Sequence, residues 1–72
     1  MTDERIKVNY KLLWEVLIDK GLSKGDLRRK TKIAASTFTK MTNNENVSLD
    51  VLVRICVALE CGLDDIVEIE NR

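Results

Sequence analysis

The side chains able to do covalent or metal chemistry are few in this chain: two cysteines, Cys56 and Cys61, an adjacent pair of aspartates, Asp64 and Asp65, and no histidine. Without histidine a mixed Cys/His zinc site cannot form, and two thiols are half of what a four-cysteine site needs. Both cysteines fall inside or at the end of an apolar helical pattern, where a free thiol behaves as a small hydrophobe. A disulfide between them is not expected in a reducing cytoplasm. The aspartates read most simply as first-turn charges of a helix. There is also no phosphate-cradling glycine loop and no convergent carboxylate pair. The sequence therefore points away from an enzyme and implies no metal, cofactor or small-molecule substrate.

What remains is a chemistry of surface contact. Formal charge is +0, with 12 cations against 12 anions, but the two signs are segregated. Residues 20–44 carry Lys20, Lys24, Arg28, Arg29, Lys30, Lys32 and Lys40 against Asp26 alone, a net of +6. Residues 45–72 carry seven carboxylates against Arg54 and Arg72, a net of −5. A local basic field suits a phosphate backbone, because displaced counterions supply sequence-independent affinity, while the acidic half faces away or holds a partner. A merely solvated helix face has the same composition. The stretch "KTKIAASTFTKMTNNENVSLD", residues 30–50, adds a second signal. Apart from Ile33, Phe38 and Met41 its side chains are too short to fill a core. Small residues instead let a helix sink into a major groove about 12 Å wide, where Ala, Ser and Thr can touch a thymine methyl or a base edge.

The elements that must position these residues follow from periodicity and caps. A chain of 72 residues is near the size at which folding hides only ~60% of the unfolded surface, so a single domain over residues 1–72 is expected. Tyr10, Leu13, Trp14 and Leu17 recur at helical spacing and predict a first helix from about Tyr10 to Lys20, ended by Gly21. Ser23 caps a second, with Asp26 closing a capping box and Leu22 stapling to Leu27. It must be short, since "TKI" interrupts the pattern near Lys32. A third helix takes up "AASTFTKM", with Phe38 and Met41 on its inner face, and "TNNEN" breaks it. Ser48 caps a fourth, whose stripe of Leu52, Ile55, Cys56 and Leu59 ends near Gly62. Leu63 and Ile66 begin a fifth element of ambiguous register: "VEIE" alternates at period two, as Ile6, Val8 and Tyr10 do at the other end. The two ends can pair as a short antiparallel ribbon. The residues alone give a single compact helical unit with a helix-turn-helix at its second and third helices.

The run "LSKGDLRRKTKIAASTFTKMTNNENVSLDVLVRICVALECGLDDIV" resembles the Cro and phage-repressor type of helix-turn-helix, the Xre-like family, and the likeness extends from Tyr10 to Val67. It is closest to small stand-alone bacterial members with a tyrosine- and tryptophan-bearing first helix and a closing "ALxC…DI" segment, here "ALECGLDDI". The resemblance implies an all-α, compact five-helix domain, and a transcriptional regulator, a repressor, that binds double-stranded DNA sequence-specifically with its third helix in the major groove. Lys24 stands where the family commonly has a phosphate-binding glutamine. Ala34, Ala35, Ser36, Thr37, Thr39 and Lys40 fall where the family contacts bases and flanking phosphates. Asn43 and Asn44 lie in the following loop, where it reaches the backbone again. Arg28 occupies a position where the family normally buries an alanine, and joins Lys24, Arg29 and Lys40 as an expected phosphate contact. Leu27, Ile33, Phe38, Met41, Leu52, Ile55 and Leu59 match the family's core. Lys32 replaces the usual turn glycine, which implies a positive φ at a cost of about 1 kcal/mol. Ala34 replaces a capping Ser or Thr, which costs ~1 kcal/mol.

Surplus apolar positions complete the reading. Leu12, Val16 and Ile18 lie outside the stripe of the first helix, and Val53 and Val57 lie opposite that of the fourth; such surface needs a cover. A homodimer provides one, together with a two-fold symmetry that suits half-sites ~34 Å apart. A different protein would cover it equally, and an interaction module that kept the fold without strong DNA affinity is the rival reading. No apolar run approaches the ~18–20 residues that cross a bilayer, and "MTDERIKVNY" is polar where a signal peptide is hydrophobic, so a cytoplasmic protein is expected.

Overall fold

The computed structural model describes residues 6–71. A short strand, β1 (Ile6–Asn9), leads into four helices, α1 (Lys11–Lys20), α2 (Lys24–Thr31), α3 (Ala35–Thr42) and α4 (Leu49–Leu59). A 3-10 turn (Leu63–Asp65) and a second strand, β2 (Glu68–Asn71), follow.

Local signals start and stop these helices. Tyr10 occupies the N-cap of α1 without a capping side chain. Asn9 supplies the cap instead, its side-chain oxygen accepting from the Lys11 N–H at 2.9 Å. Gly21, at φ 69, ends α1 in the left-handed conformation that costs glycine nothing, with the Leu22 N–H returning to the Leu17 carbonyl at 2.9 Å. The expected capping box forms at α2: Ser23 Oγ accepts from the Asp26 N–H at 3.0 Å, and Asp26 Oδ2 accepts from the Ser23 N–H at 2.9 Å. Ser48 caps α4, accepting from the Val51 N–H at 3.3 Å.

The helices close over one core of Tyr10, Leu13, Leu17, Leu27, Ile33, Phe38, Met41, Ile55, Leu59 and Ile66. Full burial of such side chains contributes about 1.5–3 kcal/mol each. Of the residues expected in the apolar stripes and core, Trp14, Leu52 and Cys56 stay half-buried, packed against the edge of this cluster. On α1, Val16 packs against the core and is not surplus and Leu12 is half-buried, which leaves Ile18 as the exposed apolar residue of that helix. The larger apolar surface belongs to α4, where Leu49, absent from the sequence expectation, joins Val53 and Val57 at four-residue intervals.

The expectation of five helices needs correction: among the described residues there are four α-helices and a two-stranded antiparallel sheet. The start signal for a fifth is real, since Asp65 Oδ2 accepts from the Gly62 N–H at 2.9 Å. Beyond one 3-10 turn, however, the chain finds a better use for its backbone groups. Glu68–Asn71 pairs with Ile6–Asn9 in the register Lys7 to Glu70 and Val8 to Ile69, and the period-two pattern outcompetes a helix too short to bury a stripe. The ribbon expected from the two ends therefore forms. Ile66, expected with Leu63 to begin the fifth element, lies in the core.

Candidate nucleic-acid interface

Helices α2 and α3, joined through Lys32, Ile33 and Ala34, form the expected helix-turn-helix pair. The turn is anchored by Ile33, buried between them, and by Lys32 at φ 57, where its N–H donates to the Arg28 carbonyl at 2.8 Å. The positive φ inferred for Lys32 is thus present. Ala34 sits at the N-cap of α3 and offers no side-chain hydrogen bond, again as inferred.

On α3 the residues divide by face. Phe38 and Met41 point into the core and Thr37 is half-buried at the border, whereas Ala35, Ser36, Thr39, Lys40 and Asn43 are exposed. These five fall at positions i, i+1, i+4, i+5 and i+8, a continuous stripe opposite the buried face. Their hydrogen-bonding capacity is not equal. Thr39 Oγ1 donates to the Ala35 carbonyl at 3.2 Å, so its proton is committed within the helix and it faces outward as an acceptor beside a methyl. Ser36, Lys40 and Asn43 keep exposed donors.

The basic cluster, read as one patch from the sequence, is split by the fold. Lys24 is the first residue of α2, and its ammonium lies 4.1 Å from the centroid of the Trp14 ring and 3.4 Å from Thr42 Oγ1. Arg28, exposed and four residues on, follows Lys24 along the same edge of α2. No family-style burial occurs at Arg28, because the guanidinium remains in solvent. Arg29 lies away from that edge and forms an ion pair with Asp26. Lys30 is on the far side, lining a depression with Val53, Arg54 and Val57 of α4. Lys24 thus joins the α3 side by direct contact, whereas Arg29 is partly neutralised and Lys30 turns toward α4. The hydrogen bonds from the Ser23 backbone and hydroxyl, with Arg29 beside it, hold the Asp26 carboxyl below its ordinary pKa.

The loop after α3 carries a tie that the sequence did not reveal. Asn44 takes φ 57, and its side-chain oxygen accepts from the Tyr10 N–H at 3.3 Å. Tyr10 in turn donates its phenolic proton to the Glu45 carbonyl at 2.7 Å, and burial pushes its pKa up. Asn44 is therefore half committed to structure, with its amide N–H groups left outward, and Asn43 is exposed beside it. Tyr10, Trp14 and Thr42 were missed as supports of the site. The one signal available was the asparagine run, since Asn tolerates left-handed backbone. Away from this surface, Cys56 and Cys61 are half-buried free thiols near the end of α4, and burial raises the pKa of Cys56, away from reactive thiolate. No helix among the described residues is long and apolar enough to cross a membrane.

A short first helix of the pair capped by Ser23, a second with its small polar face outward, and cations along the shared edge are the parts of a DNA-binding helix-turn-helix. The chain belongs to the family of Cro/C1-type HTH DNA-binding domains, whose profile matches residues 12–71. Among solved structures it is similar to the crystal structure of the transcriptional regulator VanUg, form II, at 42% identity and a TM-score of 0.93. The match covers 100% of this chain and 96% of that one. No curated protein sequence matches it significantly.

Proposed function

We propose that the protein is a sequence-specific transcriptional regulator, a repressor, that binds duplex DNA as a homodimer with α3 in the major groove. The observation that carries this reading is the outer face of α3: Ala35, Ser36, Thr39, Lys40 and Asn43 form a continuous exposed stripe of small and hydrogen-bonding side chains. Lys40 is suited to guanine O6 and N7, Ser36 to several bases and Ala35 to a thymine methyl. Lys24, Arg28 and the amide of Asn44 take phosphates on either side and set the register without reading sequence. The regulatory role is supported by the likeness to VanUg, a transcriptional regulator. A repressor acts by occupying its operator, and a compact reader of one groove face is enough for that.

A second copy of the chain is the proposed cover for Leu49, Val53 and Val57, which are 61%, 46% and 73% exposed. Two α4 helices crossing antiparallel about Val53 place Leu49 against Val57 of the other copy. The Asp50 and Arg54 ion pair, 3.0 Å apart within one chain, lies on the neighbouring edge of α4 and borders this contact. The same stripe also favours the interaction-module reading if another protein occupies it.

Selection of bound duplexes from a random pool, followed by binding across salt, tests the function. Each phosphate contact lowers the slope of log K against log salt by roughly 0.9. A flat response with no enriched sequence rejects DNA binding in favour of the interaction module.

A further inference from the structure

The Lys24 side chain is exposed, yet its ammonium lies 4.1 Å from the Trp14 ring centroid and 3.4 Å from Thr42 Oγ1, so three helices converge on one charge. Its place is electrostatically odd. As the first residue of α2 it sits at the positive end of the helix dipole, which disfavours a cation. The backbone N–H groups of Lys24 and Gly25 point out of the same helix end, because the capping box uses only those of Ser23 and Asp26 and the Leu27 N–H already reaches the Ser23 carbonyl. A cation beside donors that have no partner among the described residues makes an all-donor corner that an anion completes. The indole face and the Thr42 hydroxyl are what stabilise the cation there in the meantime.

We propose that Trp14 is a positioning residue for DNA binding: its ring, with Thr42, holds the Lys24 ammonium at the seam between the start of α2 and the end of α3, preset to receive a backbone phosphate. A free lysine gives up side-chain entropy when it docks on a phosphate; one already held gives up little. Trp14 reads no base and touches no DNA in this scheme. It acts through Lys24, and its effect is therefore the same for every duplex sequence.

The inference rests on the proposed DNA binding, and its test separates the two. Dissociation constants are measured for the best selected duplex and for an unrelated one, with wild type, Trp14→Leu, Thr42→Val, Lys24→Met and the double variant Trp14→Leu/Lys24→Met. Trp14→Leu should weaken both duplexes equally, by about two- to twelve-fold, the entropy of one immobilised side chain expressed as affinity. Thr42→Val should act in the same direction, and Trp14→Leu should add nothing once Lys24 is methionine. A Trp14 effect that persists in the Lys24→Met background means that Trp14 acts on its own, and overturns the proposal. So does unchanged affinity in both Trp14→Leu and Thr42→Val. If Trp14→Leu unfolds, Trp14→Phe and the exposed Thr42→Val decide by the same cycle with Lys24→Met. A wild type that binds no duplex overturns DNA binding itself. A wild type that loses affinity with Arg28→Ala but not with Lys24→Met overturns this inference alone.

Discussion

Replacing Lys32 with glycine should stabilise the protein, although it deletes a side chain and nothing else. Lys32 takes φ 57 and ψ 31 at the end of α2, where a Cβ crowds the following carbonyl. That conformation costs a non-glycine residue roughly 1–2 kcal/mol. The side chain is exposed and has no part in the core, and the Lys32 N–H to Arg28 carbonyl bond of 2.8 Å survives the change. Against the relief stands the extra freedom of glycine in the unfolded chain, about 0.5–1 kcal/mol. The net lies within about 0–1.5 kcal/mol, centred on a gain of about 0.75 kcal/mol. In a domain of this size the central gain raises Tm by roughly 3–6 °C. Glu60, at φ 56 and exposed at the end of α4, should respond to glycine in the same way. Asn44, at φ 57, should not, because asparagine tolerates that region and its side chain bonds to the Tyr10 N–H. Thermal unfolding followed by circular dichroism separates these cases, with Lys32→Ala and Glu60→Ala controlling for lost charge. Lys32→Gly no more stable than Lys32→Ala, or Asn44→Gly as stabilising as Lys32→Gly, refutes the backbone argument.

Ser36→Ala and Lys40→Ala should each cost ~1–3 kcal/mol on the preferred operator and relax preference at one or two base positions, whereas Lys24→Ala weakens all sequences nearly equally; a panel of single-base operator variants reads the difference. Val57→Glu or Val53→Glu should shift sedimentation toward monomer and weaken operator binding while the helical spectrum is retained, and a wild type that is monomeric well above micromolar concentration rules out the proposed dimer. At low pH α2 should loosen first. The folded pKa of Asp26 lies below the ordinary value of 3.8, so the capping-box contribution is complete above that value and is lost as pH falls through the folded pKa. Asp26→Asn should remove that segment of the acid transition, which amide exchange in residues 24–31 can follow, and an unchanged profile would count against the linkage.

What was legible in the sequence was what is decided within about four residues. The Ser23 and Asp26 capping box, the Ser48 cap, the stop at Gly21 and the inner face of Phe38 and Met41 depend on side chains that meet their own neighbouring backbone, so order along the chain dictates them. The outer face of α3 was legible for the same reason, as the complement of its buried stripe. The same locality misled at Leu63, where a genuine helix start was read as a fifth helix. Its competitor was a strand at the opposite end of the chain, and only folding brings Ile6–Asn9 to Glu68–Asn71. Tertiary structure also divided a basic run that looked uniform: Lys24 was drawn to Trp14 and Thr42, Arg29 to Asp26, and Lys30 to the α4 side. It likewise spent Asn44 and Tyr10 on each other across 34 residues. Composition sets how many charges and hydrogen-bonding groups a chain owns, but a charge becomes available or spoken for only when distant side chains come within a few ångströms, where electrostatic and hydrogen-bond energies become appreciable.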